Sequence, residues 1–165
     1  GREEFLSRLD SMFTCRRYWH GNEPCHQVAW MYACAGEPEK TQDAVREILR
    51  GEYRNTPGGL SGNDDAGAMS AWYVFGCLGF YPVCPGSGEY ALGAPAFPET
   101  VLRRENGKSF RIVAKNFSEE NTRVRSVRLN GRLIWDAGKR KGRPFLSHKA
   151  ILKGGTLEFE MCQQP

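Results

Sequence analysis

Asp65-Ala66-Gly67-Ala68-Met69-Ser70-Ala71-Trp72-Tyr73-Val74-Phe75-Gly76-Cys77-Leu78-Gly79-Phe80-Tyr81-Pro82 is the stretch on which the reading of this chain turns. Helical patterns lie before it and short alternating patterns after it. From about Asp65 to Leu78 it is apolar nearly all round, which predicts a helix buried on every side. Gly79 and Pro82 then stop that helix. The run from Ala71 to Phe80 is the longest apolar one in the chain and carries Gly76 and Gly79. It falls well short of the roughly 18 apolar residues of a membrane span.

Before this stretch, Phe5, Leu6, Leu9, Met12 and Phe13 recur at helical spacing. A second helix is expected from Asn22, a good N-cap with Pro24 in the first turn, to Gly36. It carries Val28, Trp30, Met31 and Tyr32. Pro38 opens a third helix through Ala44, Val45, Ile48 and Leu49, closed by Gly51. Residues 54–63 form a turn-rich loop. After Pro82, a Pro- and Gly-rich passage over 82–98 leads to the alternating runs 110–114, 124–129 and 156–161. Asn106-Gly107 and Asn130-Gly131 read as hairpin turns of the primed type. The expected fold class is therefore α+β, with helices over 1–82 and an antiparallel β unit over 83–165.

At 165 residues, 40% hydrophobic and 25% charged, the chain can bury a core, which excludes wholesale disorder. The net charge of +4 is unevenly spread. Residues 1–100 hold 8 Lys and Arg against 13 Asp and Glu; residues 101–165 hold 15 against 6. A basic half can bind nucleic acid. However, Arg123, Arg125 and Arg128 alternate with apolar residues as on the wet face of a sheet, and no aromatic platform accompanies them. No nucleic-acid partner is expected. The six Cys include no CxxC pair, which argues against a zinc ribbon. A Cys77–Cys84 bridge stays open at this stage. Asn116-Phe117-Ser118 is a glycosylation sequon, a weak signal alone. The chain opens on Gly1-Arg2-Glu3-Glu4, with neither a signal peptide nor an initiator Met, so it is expected to be a piece of something longer.

Chemistry is expected at two loop-to-helix junctions: His20-Gly21-Asn22-Glu23-Pro24-Cys25-His26, and Gly58 to Asp65. Helix N-termini favour negative charge, so Glu23, Asp64 and Asp65 are expected to stay ionised. They suit a base, a sugar-hydroxyl acceptor or a ligand of calcium, which takes hard oxygen donors. A protonated general acid would instead need a raised pKa. Simple capping explains Asn, Asp and Glu at such places equally well. The glycine-rich approaches and the crowd of aromatics (Tyr18, Trp19, Trp30, Trp72, Tyr73, Phe80 and Tyr81) favour a sugar site, with Trp30 and Phe75 assigned to core packing. His20 and His26 read first as hydrogen-bonded structural residues, and so does His148.

Several ordered motifs resemble glycoside hydrolase family 92. They are Gly21-Asn22-Glu23-Pro24 with His26; Ala35-Gly36, Pro38 and Lys40-Thr41-Gln42; Gly59-Leu60, Gly62-Asn63-Asp64-Asp65, Gly67 and Met69 to Phe75. Leu78 to Val83, Pro85-Gly86 and the closing Gly154-Gly155, Leu157, Phe159 and Met161 continue the series. The resemblance implies an exo-acting, calcium-dependent, inverting α-mannosidase that removes terminal mannose from mannose-rich N-glycans, α-1,2-linked mannose first. It implies a chain corresponding to the last helices of an (α/α)6 barrel and the β segment after them. An upstream β-sandwich and the remaining barrel, which holds the general acid, would belong to the same protein. Asp65 matches the family's catalytic base and Asp64 is its neighbour. Asn22 and Glu23 match a motif facing the sugar and its Ca2+, with His26 and Asn63 as further substrate contacts. Glu23 is the alternative general acid, provided burial raises its pKa. Asn63 replaces a frequent carboxylate, Gln27 a second His, Glu39 a Trp and Ala68 a Gln. These departures bear on linkage preference. The family implies a secreted or periplasmic enzyme. The rival reading is a non-catalytic, calcium-dependent carbohydrate-binding fragment.

Overall fold

The computed structural model describes residues 1–105 and 107–163. Arg2–Thr14 forms helix α1, and Pro38–Gly51 forms α3, with proline at its first position. On α3 the buried Pro38, Thr41, Gln42, Ala44, Val45 and Ile48 recur at the spacing that the sequence pattern predicts.

Between them the expected helix from Asn22 to Gly36 is broken. Glu23–Cys25 and Val28–Trp30 are single 3-10 turns, and only Met31–Cys34, α2, is α-helical. Val28, Ala29, Trp30, Tyr32 and Ala33 are all buried. A nearly continuous apolar run has no polar face to offer solvent, and packing overrides its local preference. Thr41 holds this segment on α3: its hydroxyl donates to the Ala29 carbonyl (3.0 Å) and accepts the Ala33 N–H (2.9 Å).

Helix α4 runs over Ala68–Leu78, three residues shorter at its start than expected. Asp65 (φ 50°), Ala66 (φ 57°) and Gly67 (φ 94°) are left-handed, a backbone that cannot continue a right-handed helix. The helix is not buried all round. Met69, Trp72, Gly76, Cys77 and Leu78 face the core, while Tyr73 (39% exposed) and Val74 (55%) do not.

Among the described residues nine strands follow. Phe80–Tyr81 (β1), Glu89–Leu92 (β2) and Phe145–Ser147 (β8) form a small antiparallel sheet in the order β1-β2-β8. Glu99–Arg103 (β3), Ser109–Lys115 (β4), Arg123–Leu129 (β5), Arg132–Asp136 (β6), Lys141–Gly142 (β7) and Gly155–Cys162 (β9) form a second sheet, ordered β3-β4-β9-β5-β6-β7. This sheet is mixed rather than antiparallel, because the last strand inserts beside β4 and runs parallel to it, Phe110 pairing with Gly155 and Ala114 with Phe159. The class is α+β. The Asn130-Gly131 turn joins β5 to β6 with both φ values positive. Asn106 of the other expected turn lies outside the described residues. Helix α5, His148–Lys153, was not expected; its His148 Nδ1 meets the Tyr90 hydroxyl at 2.9 Å. All six cysteines are free, Cys77 and Cys84 included.

Two cores meet along α4, β1 and β2. One gathers Leu9, Val28, Trp30, Val45, Ile48 and Trp72 around the helices. The other gathers Phe110, Ile112, Val124, Val127, Leu157 and Phe159 under the large sheet. Gln42 ties them, its Oε1 accepting the Val124 N–H at 3.0 Å. No helix among the described residues is long and apolar enough to cross a membrane.

Candidate active site

The two glycine-rich junctions lie 41 positions apart in sequence and touch in the fold. A Cβ added at Gly62 would overlap the Gly21 carbonyl oxygen; one added at Gly21 would stand 2.7 Å from the Ser61 carbonyl oxygen and from the Trp19 ring. Both contacts are closer than real Cβ atoms tolerate, so only glycine allows the backbones to approach this far. Two residues beyond Gly21 comes Glu23; two and three beyond Gly62 come Asp64 and Asp65. The fold thus brings both acidic corners to one seam. The Ser61 hydroxyl is buried there without a hydrogen-bond partner.

The three carboxylates are used differently. Asp64 is half-buried and caps α4: its Oδ1 accepts the Ser70 hydroxyl (2.7 Å) and the Ser70 N–H (3.0 Å). Those bonds, with one from the Gly67 backbone, hold its pKa below the usual carboxylate range. Asp65 is exposed, and among the described residues its side chain makes no hydrogen bond or ion pair. Its left-handed backbone, followed by a left-handed Ala66, is a local cost of roughly 1–2 kcal/mol per residue. Such strain collects where a side chain must point in an unusual direction. Glu23 is exposed and has no side-chain partner either. The burial required of a Glu23 general acid is therefore not met within these residues. Glu23 also opens a three-residue 3-10 turn rather than a helix, so no macrodipole of consequence acts on it.

Beneath the seam lies a polar network. His20 is fully buried and His26 is 4% exposed. The Tyr53 hydroxyl donates its one proton to the Met69 carbonyl at 3.0 Å. Its oxygen must therefore accept from His20 Nε2, 2.6 Å away. His20 Nδ1 is then the acceptor for the Tyr18 hydroxyl at 2.8 Å. Burial, with the neighbouring His26 second, lowers the His20 pKa to about 4, so the ring is neutral. His26 Nε2 donates to the His20 carbonyl (3.2 Å), and Trp72 Nε1 donates to the His26 carbonyl (2.8 Å). His26, expected to touch substrate, is spent here on the scaffold. Asn22 and Asn63 are exposed at the seam.

Of the aromatics expected around the junctions, Trp30, Trp72 and Phe80 are core. Trp19, 55% exposed and packed against Gly21, is the flat face left open at the seam. Sequence reasoning passed over Tyr53, Ser61 and Ser70. Only Ser70 carried a signal, as a hydroxyl in the first turn of the helix, six positions after Asp64.

Calcium takes six to eight oxygens. The Glu23 carboxylate and the Asn22 amide oxygen are of the right kind; the Asn22 amide nitrogen is directed to Cys25 Sγ at 3.9 Å. Among the described residues no group of three or more His, Cys, Asp or Glu converges as a metal cage. The donors here fit calcium in type.

A model of the glycosyl hydrolase family 92 catalytic domain matches residues 1–163. The chain belongs to that family. It is 42% identical to a family 92 α-mannosidase of Bacteroides thetaiotaomicron, with a TM-score of 0.90, covering all of this chain and 22% of that one. A family 92 inverting mannosidase of the same organism is 32% identical, with a TM-score of 0.86 and 25% of its chain covered. A protein of Arthroderma benhamiae described as an uncharacterised secreted glycosidase is 30% identical over 167 residues, 99% of this chain and 21% of its own length. The chain thus spans about a fifth to a quarter of these relatives.

Proposed function

We propose that this family 92 chain is the C-terminal part of a calcium-dependent, inverting exo-α-mannosidase, secreted or periplasmic, acting on terminal mannose of mannose-rich N-glycans, α-1,2-linked mannose first. Helices α1 to α4 would close an (α/α)6 barrel, with the β-rich 83–165 packed on it. The observation that carries this reading is the Gly21–Gly62 seam, which joins two unpartnered carboxylates beside an exposed tryptophan, in a chain so similar to α-mannosidases.

Inversion needs a base for water and an acid across the sugar, with carboxyls roughly 6.5–9.5 Å apart. Asp65 suits the base: exposed, without a hydrogen-bond or ion-pair partner among the described residues, and carried on a left-handed backbone. Asp64 supports it by fixing the start of α4. Glu23 and Asn22 would hold calcium, with water, sugar hydroxyls and other segments of the protein completing its shell. When bound, the ion would supply Lewis-acid polarisation of those hydroxyls. Asn63 would meet the sugar, and His26 would act by holding the first corner. The acid belongs upstream, so the 165 residues alone are expected to be inactive.

In the full-length enzyme, Asp65→Asn keeps a residue that tolerates the left-handed backbone and removes the base. Turnover should fall roughly 10²–10⁴-fold with an unchanged circular-dichroism spectrum and melting midpoint. A variant with near-normal kcat would refute the assignment, and chelator-sensitive hydrolysis by the isolated chain would refute the upstream acid.

A further inference from the structure

The network beneath the seam does more than fill space. An imidazole and two phenols are costly to bury unless every polar atom is matched, and apolar side chains of similar volume would fill the same room without that cost. What a hydrogen-bonded chain adds is direction. Here the chain runs between the two corners. His20 is joined through its peptide to Gly21 and the Glu23 turn. Its Nε2 donates to Tyr53 Oη at 2.6 Å, and Tyr53 donates to the Met69 carbonyl at 3.0 Å. The Met69 N–H in turn donates to the Asp64 carbonyl at 3.2 Å, the peptide just before Asp65. The rings are fixed sideways by Trp72, which meets His20 edge-on at 4.3 Å and stacks on Tyr53 at 6.2 Å and 8°.

We propose that His20 and Tyr53 are positioning residues, a buried strut that sets the offset between the Glu23 corner and the Asp65 corner. They touch neither sugar nor water; they act through the peptides they hold. This rests on the mannosidase reading for its kinetic consequence, though not for its geometry. Tyr18 supplies the internal control. It bonds the other nitrogen of the same ring, is also partly buried, and lies outside the path to Met69.

The test uses the full-length enzyme. Tyr53→Phe keeps the ring and cuts the strut; His20→Met cuts it at the other end. Each should lower kcat on the order of 10²-fold with KM little changed, the effect expected when a catalytic group is misplaced by about 1 Å. His20→Gln, which retains an N–H toward Tyr53, should recover most of that loss. Tyr18→Phe should keep kcat near wild type. In hydrogen exchange, Tyr53→Phe should speed the amides of 20–26 and 62–69 together. The strut is overturned if Tyr53→Phe turns over normally, if Tyr18→Phe is equally damaged, or if exchange rises at one corner alone or at neither. Should the wild-type enzyme prove inert toward mannosides, the functional reading fails, and paired exchange still decides the strut.

Discussion

The surface of the large sheet and the seam between the two glycine corners treat the same chemical group in opposite ways. Glu99 meets Arg111 at 2.6 Å, and Glu158 meets Lys115 at 2.6 Å. On the small sheet Glu89 meets Arg143 at 3.4 Å, and Asp43 of α3 reaches Arg123 on β5. Part of the positive charge of residues 101–165 is thus matched by neighbouring carboxylates, through Arg111, Lys115, Arg123, Arg140 and Arg143. At the seam, Glu23 and Asp65 are exposed, as Glu99 is, and neither forms an ion pair among the described residues. A protein with 23 Lys and Arg that leaves Glu23 and Asp65 without an ion pair at one glycine-jointed seam, the second on a left-handed backbone, keeps their charge available to a ligand. Paired and exposed reads as surface; unpaired and carried on a glycine-jointed seam reads as a site.

The largest effect should come from parting the corners. Gly62→Ala places a methyl group inside the Gly21 carbonyl, and backbone, unlike a flexible side chain, cannot step aside. Overpacking of this kind costs about 1–3 kcal/mol. In the full-length enzyme the melting midpoint should drop and kcat should fall on the order of 10²-fold. Gly58→Ala, in the same loop with nothing within 4 Å, is the matched control and should change neither. If the two variants behave alike, the seam is not a joint, and the contrast with the sheet loses its basis.

How much of this was readable from residues alone depends on the range of the interaction involved. Helices α1 and α3 and the Asn130-Gly131 turn follow from local periodicity and turn chemistry, and they stand as expected. The Gly21–Gly62 contact is set by tertiary packing across 41 positions, so the sequence shows two suspicious corners but not their meeting. Ala66 gives no hint of a left-handed backbone, since alanine is the best helix former. The sequence pattern therefore predicts a start near Asp65, where the structure begins α4 at Ala68. The parallel insertion of β9 beside β4 is equally non-local. On β5, register shifts between Val124 and Ser126 and between Val127 and Arg128 let Val124 and Val127, three apart, both point inward. Strict alternation cannot anticipate such bulges. His20 and His26 are hydrogen-bonded within the scaffold, and that their partners include Tyr18, Tyr53 and the Trp72 indole lies beyond any spacing rule.

Acid should separate the two regions in a defined order. His20 has a pKa of about 4 in the fold against 6.5 for a free side chain. Between those values the unfolded chain binds a proton that the folded chain refuses, so stability falls with falling pH across that window. It is complete above 6.5, and below about 4 this group adds no further change. Asp64 and Glu99 have lowered pKa values, from the Ser70 and Arg111 hydrogen bonds respectively. Their contributions are lost only as pH drops through those lowered values. Hydrogen exchange corrected for intrinsic rates should therefore show residues 18–26 loosening first on acidification, and the sheet later. His20→Gln should remove the first step alone. Simultaneous loosening in both regions would contradict a neutral, buried His20.

The smallest effect belongs to the sheet. Glu99 and Arg111 form a two-pronged pair, Oε1 to Nε at 2.7 Å and Oε2 to Nη2 at 2.6 Å, yet their side chains are 45% and 51% exposed. Water and salt screen such pairs, and ordering two long side chains offsets most of the attraction. Glu99→Gln should leave the melting midpoint and kcat where they were, at both low and high salt. The contrast with Asp65→Asn is then instructive, because the two substitutions make the same chemical change at two exposed positions. One removes a charge that the fold has already neutralised, while the other removes a charge that the fold has gone to some strain to leave free. A kcat loss for Glu99→Gln comparable to that of Asp65→Asn would mean that partnership does not distinguish surface from site in this molecule.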